Sequence, residues 1–330
     1  ELANASRTDS NAAVNAAIQR TKQARENLEK AQANFDANKQ IRLAGSDRYE
    51  TAYAVAEQMK LNKGESKFKN IVVASGDNYP DALSGNYLAF TQNAPMLLTN
   101  QYEVDNTAEY IKNSIEPNGT VYILGQTSAV PASLEQKLQG INVKRIGGSD
   151  RFETNLLILK EARVHGEELI VCSGLNFPDA VSASAANRPI LLADDKLSAS
   201  QKNYLSTINP LKVYFIGGDK AVPKEVRDEF TGDTVRLAGS DRFETSRLIA
   251  ENLFQGHPDR VILASGLNFP DALVGGAFNQ DIGVPVMLVG PGFTDAYNAK
   301  KFVSENDTKS LILLGGKLSI SDEIANYIRG

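Results

Sequence analysis

Gly45-Ser46-Asp47-Arg48-Tyr49-Glu50-Thr51 is a stretch that the chain repeats twice more, as Gly148-Ser149-Asp150-Arg151-Phe152-Glu153-Thr154 and Gly239-Ser240-Asp241-Arg242-Phe243-Glu244-Thr245. Downstream of each copy lies a second shared motif, Ser-Gly-x-Asn-(Tyr/Phe)-Pro-Asp-Ala, at residues 75–82, 173–180 and 265–272. Order and approximate spacing are both preserved, so the chain is a triplication. The period decides its kind: 103 residues separate Arg48 from Arg151 and 91 separate Arg151 from Arg242. Solenoid and propeller repeats run to roughly 20–50 residues, so each copy here is near domain size. Residues 41–140, 141–231 and 232–330 read as three homologous modules rather than as one enzyme with a unique active site.

Within each copy, apolar runs of strand length alternate with segments of helical period. In the first, strands are predicted at 41–44, 71–74, 95–99 and 121–124, and helices at 51–59, 81–90, around 107–115 and from residue 131. Continuous apolar runs such as Ile71-Val72-Val73 and Val121-Tyr122-Ile123-Leu124 suit parallel sheets covered on both faces by helices. The fold class is α/β, with three Rossmann-like modules joined by right-handed crossovers.

Both motifs fall at strand-to-helix turns, where such sheets place ligands. The turns also have a purely structural account. Gly45 permits a tight turn, Ser46 or Asp47 caps the next helix, and Asp47 stands three before Glu50, as in a capping box. Pro80 suits the first helical position, and Asp81, like Asp179 and Asp271, sits favourably against the helix dipole. Capping does not by itself require Arg48, Arg151 and Arg242. For these, pairing with a nearby Asp or Glu is the structural alternative to ligand binding.

Residues 1–40 differ in kind. From 11 to 38 there is neither Pro nor Gly, and Val14, Ile18, Ala24, Leu28 and Phe35 recur at near-helical intervals. A long N-terminal helix is predicted, capped by Thr8 or Ser10, with Glu26 and Lys30 as an i,i+4 pair. Its thin, Ala-rich stripe favours a linker or stalk over a coiled-coil dimer.

Composition excludes several classes. The net charge is −5, which argues against nucleic acid. No apolar run reaches the roughly 18 residues of a membrane span, and the lack of a charged-then-apolar leader leaves secretion open. Cys172, the single cysteine, lies in the apolar run Leu169-Ile170-Val171-Cys172 and reads as an inert core thiol. His165 and His257 hold non-equivalent positions, no His/Cys cluster has metal-ligand spacing, and neither phosphate-loop pattern nor G-x-S-x-G occurs. No cofactor, metal or catalytic residue is assigned, and triplicated side chains favour a binding device over three active sites.

Together the motifs (Leu/Ile)-(Ala/Gly)-Gly-Ser-Asp-Arg-(Tyr/Phe)-Glu-Thr and Ser-Gly-x-Asn-(Tyr/Phe)-Pro-Asp-Ala resemble the cell-wall-binding repeat type 2 (CWB2) modules of clostridial surface proteins. The resemblance spans residues 41–330 and leaves the N-terminal helix outside. It implies a compact, pseudo-threefold arrangement of three modules in one chain. It further implies a secreted protein held noncovalently at the surface of a Gram-positive cell by an anionic secondary cell-wall polysaccharide. The family's Pro-Ile-Leu-Leu segment is intact at Pro189-Ile190-Leu191-Leu192; the other copies read Pro95-Met96-Leu97-Leu98 and Pro285-Val286-Met287-Leu288. By its own chemistry this segment is core.

An anionic glycan needs local positive groups, and the arginine fork suits phosphate. Arg48, Arg151 and Arg242 lead the candidates. Asn78, Asn176 and Asn268 are candidate hydrogen-bonding groups, and Tyr49, Phe152 and Phe243 are candidates to stack on sugar faces. Two other readings stand beside this one. An array-forming module would have neighbouring surface-layer proteins as partners, and a phosphoryl or nucleotide enzyme would rest on fold analogy alone.

Overall fold

The computed structural model describes residues 40–330 apart from Phe177 and Gln255, so the predicted N-terminal helix lies outside the described residues. The first repeat runs β1 (Gln40–Leu43), α1 (Arg48–Lys63), β2 (Phe68–Ser75), α2 (Pro80–Gln92), β3 (Met96–Thr99), α3 (Val104–Ser114), β4 (Ile115–Leu124) and α4 (Ser133–Lys137). The second runs β5 (Asn142–Ile146), α5 (Arg151–Glu161), β6 (Glu168–Ser173), α6 (Pro178–Ala183) with a 3-10 turn at Ser184–Ala186, β7 (Ile190–Ala193), α7 (Ala199–Ile208), β8 (Lys212–Ile216) and α8 (Lys224–Arg227). The third runs β9 (Thr234–Leu237), α9 (Arg242–Leu253), β10 (Arg260–Ser265), α10 (Pro270–Ile282), β11 (Val286–Val289), α11 (Phe293–Glu305), β12 (Ser310–Leu314) and α12 (Asp322–Arg329).

The strands form three four-stranded, wholly parallel sheets ordered β3-β2-β4-β5, β7-β6-β8-β9 and β11-β10-β12-β1. Sequence repeat and sheet are therefore out of phase. The strand that leads into each Gly-Ser-Asp-Arg turn completes the sheet of the preceding repeat, and β1 completes the sheet of the last, with Ile41 opposite Ile312. The chain closes into a ring.

A glycine marks each such junction. Gly125, Gly217 and Gly315 end the third strand of their sheets with φ of +91°, +94° and +93°, a conformation costly for residues with a Cβ. Their N–H groups donate to the carbonyls of Ile146, Leu237 and Leu43, the ends of the added strands, at 2.8, 2.9 and 2.9 Å. Strand β4 starts six residues earlier than its apolar run. Pro117-Asn118-Gly119 reads as a turn, but the chain continues as a strand through a register shift opposite Phe68 and Asn70.

One contiguous apolar core, from Ile41 to Leu314, draws on all three repeats, and a smaller cluster around Phe302 and Ile324 backs the third. At its centre α10 packs on α2 and α6, and α2 packs on the 3-10 turn that follows α6. They meet at equivalent positions held by Asn86, Ser184 and Gly276. A Cβ on Gly276 would stand 2.5 Å from Ser184 Oγ and 2.6 Å from Asn86 Oδ1, so the smallest residue lets the helices meet. Outward from this axis the contacts are cyclic: α2 packs on α5 and β7, α6 on α9 and β11, and α10 on α1 and β3.

A pseudo-threefold arginine face as the candidate site

Each Gly-Ser-Asp-Arg turn is built by its own polar groups. Asp47 Oδ1 accepts from the N–H of Tyr49 and Glu50, while Glu50 Oε2 accepts from Ser46 N at 2.8 Å. Asp150 with Glu153, and Asp241 with Glu244, repeat the exchange. This is a capping box displaced by one residue, since the glutamate takes the N–H before the cap. The hydrogen bonds from Ser149 and Ser240 hold the carboxyls of Glu153 and Glu244 below the usual range. Thr51, Thr154 and Thr245 accept from the leading glycine N–H at 3.2, 2.9 and 3.1 Å. A Cβ on Gly45, Gly148 or Gly239 would lie 2.0–2.6 Å from the glutamate Cβ. Most of the first motif thus encodes a turn.

The arginines do something more. Arg48, Arg151 and Arg242 each reach from the first helical position to the glycine carbonyl of the second motif: Gly76 at 2.5 Å, Gly174 at 2.6 Å and Gly266 at 2.8 Å. All three are half-buried. Each of the two described pairings also crosses to the preceding repeat. Arg151 Cζ lies 6.0 Å from the Tyr79 ring and Arg48 Cζ lies 5.9 Å from the Phe269 ring, within cation–π range. Tyr79 and Phe269 themselves meet edge to face at 6.0 Å. Tyr79 and Phe269 of the second motif thus meet across a repeat boundary with Arg151 and Arg48 beside them.

The aspartates follow the same cycle. Burial pushes the Asp81 carboxyl up to about 6, partly countered by Arg151, and pushes Asp271 up, countered by a hydrogen bond from Ser319 and by Arg48. Each carboxylate presses against a junction glycine, 2.4 Å from a Cβ on Gly125 and 2.3 Å from one on Gly315. The side chain of Asp179 lies outside the described residues. The structural alternative for the arginines is pairing with a nearby Asp or Glu; Arg151 and Arg48 bond carbonyls instead, and the acids whose charge they offset, Asp81 and Asp271, lie across a repeat boundary rather than within one copy.

The other candidates divide. Asn78, Asn176 and Asn268 are exposed on the turns after β2, β6 and β10. Tyr49 and Phe243 are buried and Phe152 is half-buried. Each ring lies on the second-motif glycine, where a Cβ on Gly76, Gly174 or Gly266 would stand 2.4, 2.5 or 2.7 Å from a ring carbon. Packing accounts for these rings. Met96, Leu97, Leu98, Ile190, Leu191, Leu192, Val286, Met287 and Leu288 form β3, β7 and β11, and none is more than 2% exposed.

Two features escaped the sequence reading. Asn155, fully buried, donates to Ser84 Oγ in the first repeat at 3.0 Å and to the Ile190 carbonyl at 2.7 Å, and accepts from Leu192 N at 3.0 Å. It ties the Pro-Ile-Leu-Leu strand to a neighbouring repeat. Its equivalents are Ala52 and Ser246, so no shared residue type signals it. The first repeat is also unlike the others at one exposed position: Asp77 stands where Leu175 and Leu267 stand. Asp77 accepts from Tyr49 Oη at 3.1 Å and from Asn100 Nδ2 at 3.3 Å. Tyrosine replaces phenylalanine only in the copy that carries this carboxylate.

The profile of the family described as Cell wall binding domain 2 (CWB2) matches residues 42–135, 145–227 and 236–325. The chain is 25% identical over 296 residues to the N-acetylmuramoyl-L-alanine amidase LytC of Bacillus subtilis (strain 168), covering 87% of this chain and 58% of that protein. It is 28% identical over 295 residues to the amidase enhancer of the same strain, covering 87% of this chain and 40% of that one. The chain thus spans about half the length of the curated relatives it matches. Among solved structures, Cwp8 from Clostridium difficile superposes with a TM-score of 0.77 at 23% identity, over 92% of this chain and 54% of that one. Cwp6 from the same organism gives 0.76 at 24% identity, over 88% and 48%.

Proposed function

This chain belongs to the cell wall binding domain 2 family, and on that premise we propose that it anchors a secreted protein noncovalently to the Gram-positive cell wall by binding an anionic wall polysaccharide. The ligand meets the face around the pseudo-threefold axis, and the three modules, 41–140, 141–231 and 232–330, act as one unit. The observation that carries this reading is the arginine circle: Arg48, Arg151 and Arg242 hold equivalent places on one face.

Arg48, Arg151 and Arg242 supply charge, and exposed Asn78, Asn176 and Asn268 supply neutral donors and acceptors. Three weak contacts on one polymer act together through effective concentration. Met96 to Leu98 and their counterparts act indirectly, by setting how the repeats fit. The chain itself is a binding module. The amidase and amidase-enhancer activities in the relatives' names belong to proteins of which this chain matches only a part.

A pull-down with purified walls tests the proposal. Intact walls should retain the protein and release it as salt rises, and walls stripped of their anionic polymer should not retain it. Equal retention on both would reject the polymer as ligand. Self-association without wall material would favour the array-forming alternative.

A further inference from the structure

The added strand of every sheet carries an arginine, and the second sheet treats it differently from the other two. In the first sheet Arg145, on β5, makes a bidentate pair with Glu135 of α4 at 3.1 and 2.9 Å and donates to the Gly125 carbonyl at 2.9 Å. In the third, Arg42 on β1 donates to Asp322 at 3.1 Å and to the Gly315 carbonyl at 2.9 Å. In the second sheet the arginine is Arg236, on β9. Aligning Val130-Pro131 with Val222-Pro223 puts Arg227 of α8 in the place of Glu135. A guanidinium faces a guanidinium where the sister repeat has an ion pair.

One carboxylate mediates. Asp219 accepts from Arg227 at 2.9 Å and also from Arg236, and its side chain is 77% exposed. Arg236 spends a further donor on the Val222 carbonyl at 2.7 Å. The Nε–H groups of both arginines are buried without an acceptor among the described residues. The two side chains, 33% and 26% exposed, line an open cleft of about 540 Å³ with Phe215, Asp228, Phe230 and Thr234. Asp228 is already engaged by Lys224. Two guanidiniums over one bridging carboxylate leave an excess of positive charge and unspent donors. The half-buried ring of Phe230, set edge-on to Phe215 at 5.4 Å between centroids, forms an apolar wall.

We propose that this cleft binds a phosphorylated sugar. The phosphate takes the fork donors of Arg227 and Arg236, relieving their mutual repulsion, and the sugar lies against Phe230 with Thr234 as a hydroxyl partner. Guanidinium pairs suit the tetrahedral oxyanion, and the cleft volume falls in the roughly 300–1,000 Å³ range of small-molecule sites. The site stands at β9, the edge of the second sheet opposite β7. It requires neither the axial arginines nor the wall polymer, so it goes beyond the anchoring proposal.

Calorimetric titration of the whole chain with glucose 1-phosphate, inorganic phosphate and glucose tests it. One saturable site for glucose 1-phosphate is expected, with weaker binding of phosphate and none of glucose alone. Arg227→Glu copies the Glu135–Arg145 pair, so it should keep or raise Tm and weaken binding roughly 10- to 100-fold. Arg227→Gln, a gentler change, should weaken binding in the same direction and gives the readout should the glutamate variant fail to fold. No saturable binding by the natural chain, or binding that survives either substitution in folded protein, overturns the proposal.

Discussion

Tyr79 Oη donates to the carbonyl of Gly174 at 2.9 Å, and that same carbonyl accepts Arg151 at 2.6 Å. A tyrosine of the first repeat and an arginine of the second thus share one acceptor at their boundary. At the boundary between the third repeat and the first, Phe269 holds the tyrosine's position and offers no hydroxyl, so Arg48 bonds the Gly76 carbonyl without it. Tyr79→Phe should therefore keep the ring packing and lose about 1 kcal/mol, the usual net worth of one such bond. Urea unfolding reads the difference. No change would mean that Arg151 alone satisfies the carbonyl.

The arginines serve structure, and on the proposed reading they also serve the ligand; the two roles separate in magnitude. Arg48→Ala removes a charge-assisted bond to a carbonyl and should cost about 1.5–3 kcal/mol. Less is lost than when a fully buried ion pair is broken, because Arg48 is half-exposed. Wall retention of the folded fraction should fall modestly with one substitution and nearly vanish with Arg48, Arg151 and Arg242 all changed, as multivalent binding does. Intact retention by the folded triple variant would remove the arginines from the ligand site.

Acidity should act on the repeat boundary with a definite sign. Burial raises Asp81 to about 6, above its ordinary value of 3.8. The folded state therefore holds this proton more tightly than the unfolded chain. The carboxylate's burial penalty is fully present above about pH 6 and is relieved as pH falls towards 4. Asp81→Asn removes the penalty at every pH. It should stabilise the protein by on the order of 2 kcal/mol near pH 8 and be close to neutral near pH 4. Asp271, also raised by burial, should behave alike. A stability difference independent of pH would show that Asp81 is not the group that titrates.

The first repeat should be the weakest contact for a polyanion. Asp77 is exposed one residue beyond the carbonyl that holds Arg48, where the other copies present leucine. Asp77→Leu should raise wall retention about 2- to 5-fold, and Leu175→Asp or Leu267→Asp should lower it by as much, each effect shrinking with salt. Equal response at all three positions would make the copies equivalent.

The triplication, the strand and helix positions and the core placement of Met96-Leu97-Leu98 could be read from residue types, because period and apolar runs report burial directly. The sheet partner of β1 could not: Ile41-Arg42-Leu43 carries the same apolar alternation whichever edge it joins. For the same reason residue types point to acids within each copy, whereas those near Arg48 and Arg151 lie across a boundary. Asn155 was hidden by its equivalents Ala52 and Ser246. Arg227 was legible in principle, since aligning the short helix that follows each third strand sets it against Glu135.

Ring closure through β1 and β12 also bears on how such a gene can change. Tandem repeats ordinarily gain and lose copies by unequal recombination, and open arrays tolerate this because each unit touches only its neighbours. Here every unit is finished by the next and the last by the first. A deletion of one copy would leave two sheets whose contacts were shaped for three around the axis at Gly276, and an added copy would have no place in the circle. The number three is fixed by geometry, and variation is left to single positions such as Asp77 and Arg227, where one copy can depart from its sisters without opening the ring.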